Sequence, residues 1–181
     1  MGRNSRRRLK RWCIVGVLVV MGLATLWHFL YEWLPCGFLS VFCPVNESPW
    51  EHVKLFLVPP LIWYIVMYFA AGWRYPNYVF ACAVSLLVMP ALMLLIYLAC
   101  RALGIDSLPM AIANTLVCIA AGMWVVYRMA ISRRRLHGPA FTAAAIVIFI
   151  GLFILYAFLT YYPPAHFLFW DPQKKLYGIP H

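Results

Sequence analysis

Residues 78–100 read YVFACAVSLLVMPALMLLIYLAC, a run without a single charged side chain. At about 1.5 Å of rise per residue, a helix of this length crosses the ~30 Å hydrocarbon layer of a bilayer. A segment in lipid must satisfy its own backbone hydrogen bonds, which an α-helix does. The run therefore predicts a transmembrane helix.

Similar apolar runs recur along the chain, at residues 12–33, 49–71, 108–129 and 140–161. Of the 181 residues, 65% are hydrophobic and 11% are charged, and the mean hydropathy is +0.82. This composition excludes an ordinary soluble globular domain. We predict an all-α fold in which residues 1–181 form a single membrane domain, an integral membrane bundle of five transmembrane helices.

The first apolar run follows a basic leader, residues 1–11, and could be read as the core of a signal peptide. It is longer than the 7–15 residues of a signal core, and no small-residue cleavage site follows it. We therefore interpret it as a retained helix.

The distribution of charge predicts the orientation, because cytoplasmic loops are enriched in lysine and arginine. With the N-terminus inside, the cytoplasmic face receives most basic residues: Arg3, Arg6, Arg7, Arg8, Lys10, Arg11, Arg74, Arg128, Arg133, Arg134 and Arg135. The acids fall on the outer half: Glu32, Glu47, Glu51, Asp106 and Asp171. The C-terminal tail, residues 162–181, is then outside. The net charge of +10 is a topological signal, and we predict no nucleic-acid partner.

The stretch CPVNESPWEHVK, residues 43–54, gathers ionisable groups between two apolar runs. Ser48 and Glu51 have the spacing of a capping box, and Pro49 suits the first helical position. The second span should therefore begin near Pro49. Pro59 and Pro60 lie inside it and should bend it.

Four of the polar side chains are expected to meet. His28 and Glu32 are four residues apart on one face of the first span, and Glu51 and Lys54 are three apart near the start of the second. Because the two spans run antiparallel, helical rise puts Glu32 level with Glu51 and His28 level with Lys54. Ionisable groups below a membrane surface usually face a bundle interior or a hydrated cavity.

This cluster has two interpretations that involve no metal. One is structural: Glu32, Lys54 and Glu51 form a polar clamp between the first two spans. The other is an outward-facing pocket between those spans that binds or hydrolyses a small polar or lipid-like ligand, with Glu32, Glu51 and His28 as candidate catalytic residues, since paired ionisable groups are where pKa values shift most.

A third interpretation is a metal-dependent membrane hydrolase. Imidazole and carboxylate groups suit Zn²⁺ or a similar divalent ion, which activates a bound water. The candidate ligands are His28, Glu32, Glu51 and His52. Lys54 at the same depth counts against a dication.

The loop and the tail extend the candidate ligand-binding set. Asn46, Glu47 and His52 flank the capped helix start, while His166 and Asp171 lie in an aromatic, turn-rich tail. This tail is expected either to fold over the outer mouth or to lie along the lipid headgroups. The expected partners are the bilayer and a small-molecule or lipid ligand, and the sequence indicates no particular oligomeric state.

Cys36 and Cys43 share the predicted first outer loop. Disulfides persist in such a compartment, so their spacing is compatible both with a bridge and with two free thiols.

Three segments carry a resemblance: HFLYEW at 28–33, FCPVNESPWEHVKLF at 42–56 and FLFWDPQKKLYGI at 167–179. The chain resembles a family of small bacterial polytopic membrane proteins that is known only as a domain of unknown function. The resemblance covers nearly the whole chain. It implies a bacterial plasma (inner) membrane protein and carries over no activity, substrate or cofactor.

Overall fold

The computed structural model describes residues 2–180, and it confirms an all-α fold with five helices long and apolar enough to cross a membrane. The α-helices are α1 (Arg3–Trp33), α2 (Gly37–Phe42), α3 (Val58–Ala70), α4 (Tyr78–Ala102), α5 (Leu108–Ala130) and α6 (Pro139–Tyr161). Met1 of the predicted leader and His181 of the predicted tail lie outside the described residues.

Helix α4 is at the centre of the bundle, where it packs against α5, α6 and α3. Its inner face buries Leu86 and Met89 completely. The large apolar side chains that point outward, such as Phe69 and Ile154, suit a lipid environment. The architecture is that of a multi-pass membrane protein.

Helix α1 is longer than the predicted first span, because it already begins at Arg3 in the basic leader. Its 31 residues correspond to a rod of about 46 Å, longer than the hydrocarbon layer is thick. At Gly16 the helix comes so close to the indole of Trp63 that any Cβ would collide with it. This glycine allows α1 and α3 to pack together.

The second span is split into two kinds of helix. Glu51–Phe56 form a 3-10 helix, and α3 begins only at Val58. Pro59 and Pro60 have no amide hydrogen to donate to the carbonyls four residues earlier, so the α-helical ladder cannot run through them. They are accommodated in the first turn of α3, where amides have no intrahelical partner in any case.

One end of the bundle, which we call the loop end, carries residues 34–50, the link between α4 and α5, and the tail after α6. The second part of segment 34–50 is not a surface loop: Cys43, Val45, Asn46 and Ser48 are all buried, whereas residues 34–38 are exposed. The opposite end carries the start of α1 and the two remaining links.

Cys36 and Cys43 are free thiols at the two ends of α2. The helical rise separates their α-carbons by about 10 Å, well beyond the reach of a disulfide. Of the two states compatible with the sequence, the structure shows the unbridged one.

The tail folds back onto the loop end. After a 3-10 turn at Phe167–Phe169, Trp170–Asp171 pairs antiparallel with Leu176–Tyr177. Gly178 follows at φ +70, where a Cβ would lie 3.1 Å from the carbonyl oxygen of Thr160. This position therefore requires glycine on both conformational and steric grounds.

Candidate functional site

Glu51 and Lys54 form an ion pair at the loop end, with 2.6 Å between Lys54 Nζ and Glu51 Oε2. Their relative exposures are 2% and 0%. The 3-10 helix presents both side chains to the bundle interior. The short distance is that of a charge-assisted hydrogen bond.

The remaining bonding capacity of the pair is used by its surroundings. Lys54 Nζ donates to the carbonyl of Ser40 at 2.7 Å and to that of Cys43 at 3.1 Å. Glu51 accepts from the amide of Val45 at 3.0 Å and from the hydroxyl of Thr160 at 2.8 Å. The pair thus joins the second span to α2, the loop and α6, and it has no site left for a ligand.

The expected meeting of four side chains requires correction. Within residues 2–180, neither His28 nor Glu32 bonds to Glu51 or Lys54. The depth argument treated residues 34–50 as a link outside the bundle, whereas the buried loop passes between α1 and the 3-10 helix. The side chain that faces His28 is consequently that of Glu47.

Glu47 lies between two histidines, and we call His28, Glu47 and His52 the histidine–glutamate cluster. His52 Nε2 is 3.5 Å from one carboxylate oxygen, and His28 Nε2 is 3.9 Å from the other. One nitrogen or oxygen from each residue can be chosen so that all three lie within 4.8 Å of one another. The side chains are half-buried, with 26–33% of their surface exposed.

The hydrogen bonds of this cluster orient one ring and leave the converging atoms free. His52 Nδ1 is 2.8 Å from the carbonyl oxygen of Ser48, which can only accept, so Nδ1 donates and Nε2 of the neutral ring is unprotonated. Among the described residues, His28 Nδ1 is buried without a partner, and no donor reaches the Glu47 carboxylate within hydrogen-bond distance.

Two predicted site residues instead fasten the tail to the loop. Asn46 donates to the carbonyl of Gly178 at 2.7 Å and accepts from the amide of Ser48. Asp171 is fully buried and accepts from the amide of Glu47 at 3.0 Å as well as from two amides of its own turn. Both side chains position Glu47 and the loop around it.

His166 does not join these groups. Its ring is exposed, stacks on Phe167 and accepts from the amide of Leu168. It caps the short turn at Phe167–Phe169. The prediction that His166 completes the site is therefore wrong.

A cavity of about 360 Å³ opens beside the histidine–glutamate cluster. His28 and Glu32 of α1, Glu47 of the loop, Leu108 of α5 and Lys174 of the tail contribute to its wall. Within residues 2–180, Glu32 and Lys174 form no ion pair. The cavity therefore presents charges of both signs that are free to meet a ligand.

Thr160, Gly178 and Lys174 were not predicted as site residues from the sequence. Thr160 is an isolated hydroxyl near the end of an apolar run, and its bond to Glu51 spans 109 positions. Gly178 carried the only usable signal, because a glycine in a turn-rich segment favours positive φ. For Lys174, only the folding of the tail reveals its position.

Comparison with known proteins identifies the family of the chain and assigns it no function. No curated protein and no solved structure matches it. Residues 1–179 match the family described as "Family of unknown function (DUF6512)", which is nearly the full length. The chain belongs to this family of unknown function, DUF6512.

Proposed function

We propose that this protein binds the head group of a zwitterionic membrane lipid in the cavity at the loop end. The observation that carries the proposal is the pair of unmatched charges in its wall, Glu32 and Lys174. An ammonium group suits the carboxylate, and a phosphate suits the lysine. The cavity volume of about 360 Å³ is at the small end of ligand pockets, which suits a head group.

Apolar residues that line the cavity support a lipid as the molecule that carries the charged head group. Phe29 is 41% exposed and Leu108 is 74% exposed, and both contribute to the cavity. Acyl chains could lie along them while the head group enters between the charges. A soluble ligand of the same charge would make no use of these side chains.

The proposed setting is a bacterial plasma membrane with the N-terminus in the cytoplasm and the loop end outside. The concentration of arginines at the start of α1 and in the link after α5 supports this orientation. A reporter that is active only outside the cytoplasm, fused after residue 181, should be active. Activity of a cytoplasmic reporter at the same position would reverse the topology.

Native mass spectrometry of the detergent-solubilised protein, mixed with equal amounts of phosphatidylethanolamine and phosphatidylglycerol, tests the lipid proposal. We expect retention of phosphatidylethanolamine over the anionic lipid. Glu32→Gln should reduce that preference about fivefold, as expected for one charged contact. Lys174→Met removes the contact with the phosphate that both lipids share, so it should weaken the retention of both. Competition by free phosphoethanolamine would separate head-group binding from binding through the chains.

Two matched variants serve as controls. Lys175→Met removes the neighbouring lysine, and Asp106→Asn removes an exposed acid at the same end of the bundle; neither residue contributes to the cavity. Both should retain the wild-type preference. Equal retention of the two lipids by the wild type, or an equal loss in the control variants, would contradict the proposal.

A structural role belongs to a different set of atoms. The Glu51–Lys54 pair supports only part of the clamp interpretation, because it joins the second span to α2, the loop and α6 and does not include Glu32 of α1. The clamp and the lipid pocket are therefore compatible.

A further inference from the structure

We infer that His28, Glu47 and His52 form a binding site for a divalent transition-metal ion of the Zn²⁺ type. His28 and Glu47 also line the cavity proposed for the lipid head group, but the metal site does not use Glu32 or Lys174, so the two proposals can be tested separately.

The spacing of the converging atoms is the first support. Zn²⁺ binds imidazole nitrogen and carboxylate oxygen at about 2.0–2.1 Å, so tetrahedral ligand atoms lie about 3.3–3.4 Å apart. The two nitrogen–oxygen distances to Glu47 are 3.5 and 3.9 Å. These distances are too long for good hydrogen bonds, and a shift of about half an ångström or less would bring each nitrogen to ligand spacing from the carboxylate oxygen nearest to it.

The protonation of His52 is the second support. A metal-binding histidine almost always donates its other ring N–H to a carbonyl or carboxylate, which fixes the tautomer and the ring orientation. His52 Nδ1 does this with the carbonyl of Ser48 at 2.8 Å. The lone pair of its Nε2 is therefore presented to the cluster in the free protein.

The unsatisfied atoms of His28 and Glu47 are the third support. Within residues 2–180, the ring of His28 forms no hydrogen bond, and its buried Nδ1 has no partner. Nε2 of His28 and the carboxylate of Glu47 form no hydrogen bond with each other or with other groups of the described residues, and an ion between them would supply bonds that the protein does not provide. The orphaned Nδ1 is the other ring nitrogen, and that ion would not satisfy it.

The positive charge of Lys54, which was expected to disfavour a divalent cation, does not prevent one from binding at the cluster. The Glu51 carboxylate balances the charge of Lys54 Nζ, and two carbonyls accept its other hydrogen bonds. Lys54 bonds to none of the three cluster residues. The carboxylate of Glu47 supplies one negative charge to the site. Three protein ligands leave a fourth position for water or an anion, the coordination pattern of open zinc sites.

Isothermal titration of chelator-stripped protein in detergent with ZnCl₂ tests the inference. We expect about one equivalent to bind, and His28→Ala, His52→Ala and Glu47→Gln each to weaken the affinity at least about tenfold. The matched control is His166→Ala, which removes an exposed ring at the same end of the bundle and should leave binding unchanged.

Thermal unfolding provides the second measurement, because an ion that binds the folded state raises the unfolding temperature. The chelator-stripped variants should melt near the wild type, and only the wild type and His166→Ala should gain stability on addition of Zn²⁺. Glu47→Gln keeps the side-chain shape and tests the site if an alanine variant fails to fold.

Two results would contradict the proposed metal site. Fewer than about a tenth of an equivalent bound by folded wild-type protein would do so, given the affinity expected of three ligands. Undiminished binding in the three cluster variants would identify adventitious sites instead. Glu32→Gln should lose lipid preference while it keeps Zn²⁺ binding, so that failure of the metal site and failure of the lipid pocket give different results.

Discussion

The buried ion pair and two of the three residues of the histidine–glutamate cluster, Glu47 and His52, come from the same stretch of chain, residues 47–54. Their polar atoms nevertheless have opposite environments. Glu51 and Lys54 are almost fully buried, and five bonds, including their own, satisfy the pair. The cluster is half-buried and its converging atoms have no bonds. Burial with full satisfaction stabilises a fold, whereas partial exposure with free lone pairs suits an exchangeable ligand.

The largest expected effect is on the ion pair. Lys54→Met should lower the free energy of unfolding by about 3–5 kcal/mol, because it leaves the Glu51 carboxylate buried without its counter-charge. Denaturation with SDS in mixed micelles measures the loss. The exposed Lys175→Met is the control and should be nearly silent.

The double variant Glu51→Gln/Lys54→Met sharpens this test. If the loss comes from an uncompensated charge, the double variant should be more stable than Lys54→Met, since no charge remains buried. A double variant at least as unstable as the sum of the two single variants would show that the pair acts through its separate contacts and not as a pair.

The next largest effect concerns the attachment of the tail to the loop. Asp171→Ala should cost about 1–3 kcal/mol, because it leaves the amides of Glu47, Gln173 and Lys174 without their acceptor. Hydrogen exchange at these amides should accelerate. Asp106→Ala, at an exposed position, should change neither stability nor exchange, and unchanged exchange in Asp171→Ala would contradict the docking.

Substitutions in the histidine–glutamate cluster should lower the free energy of unfolding much less than substitutions in the ion pair. In metal-free protein, Glu47→Gln should change the free energy of unfolding by no more than about 0.5 kcal/mol, since the carboxylate of Glu47 forms no hydrogen bond within the described residues. The same SDS denaturation measures this. A loss as large as that of Lys54→Met would show that the cluster, too, serves the fold.

The smallest effect is local and concerns the two loop cysteines. Burial raises the pKa of the Cys43 thiol to about 11, so that near pH 8 it stays protonated and unreactive, and its thiolate forms only as the pH rises toward that value. Cys36 is exposed. A maleimide reagent at pH 8 should label Cys36 quickly and spare Cys43.

The same labelling experiment reports on the pair. Because Lys54 Nζ holds the carbonyl of Cys43, Lys54→Met should open the loop and speed labelling of Cys43. Labelling of Cys43 as fast as Cys36 in the wild type would contradict the buried loop.

The five long helices could be predicted because each apolar run carries its own signal, but the short helix α2 and the 3-10 start of the second span could not. The proximity of Glu51 and Lys54 could also be predicted, because residues three positions apart lie close together on a helix. The partners of Glu47 could not, because the buried course of residues 43–48 depends on bonds to the ion pair and to the tail. Helical rise alone gives the depth of a residue, but not which chain segment passes in front of it.

The ion pair has a consequence for the order in which the chain assembles. Lys54, its counter-ion and both of its carbonyl partners fall between Ser40 and Lys54. Contacts this close in sequence need little loop closure, so they can form before distant segments arrive. The second span can therefore enter the bilayer with its charge already neutralised. Thr160 and the tail, which emerge last from the ribosome, then secure an arrangement that already exists.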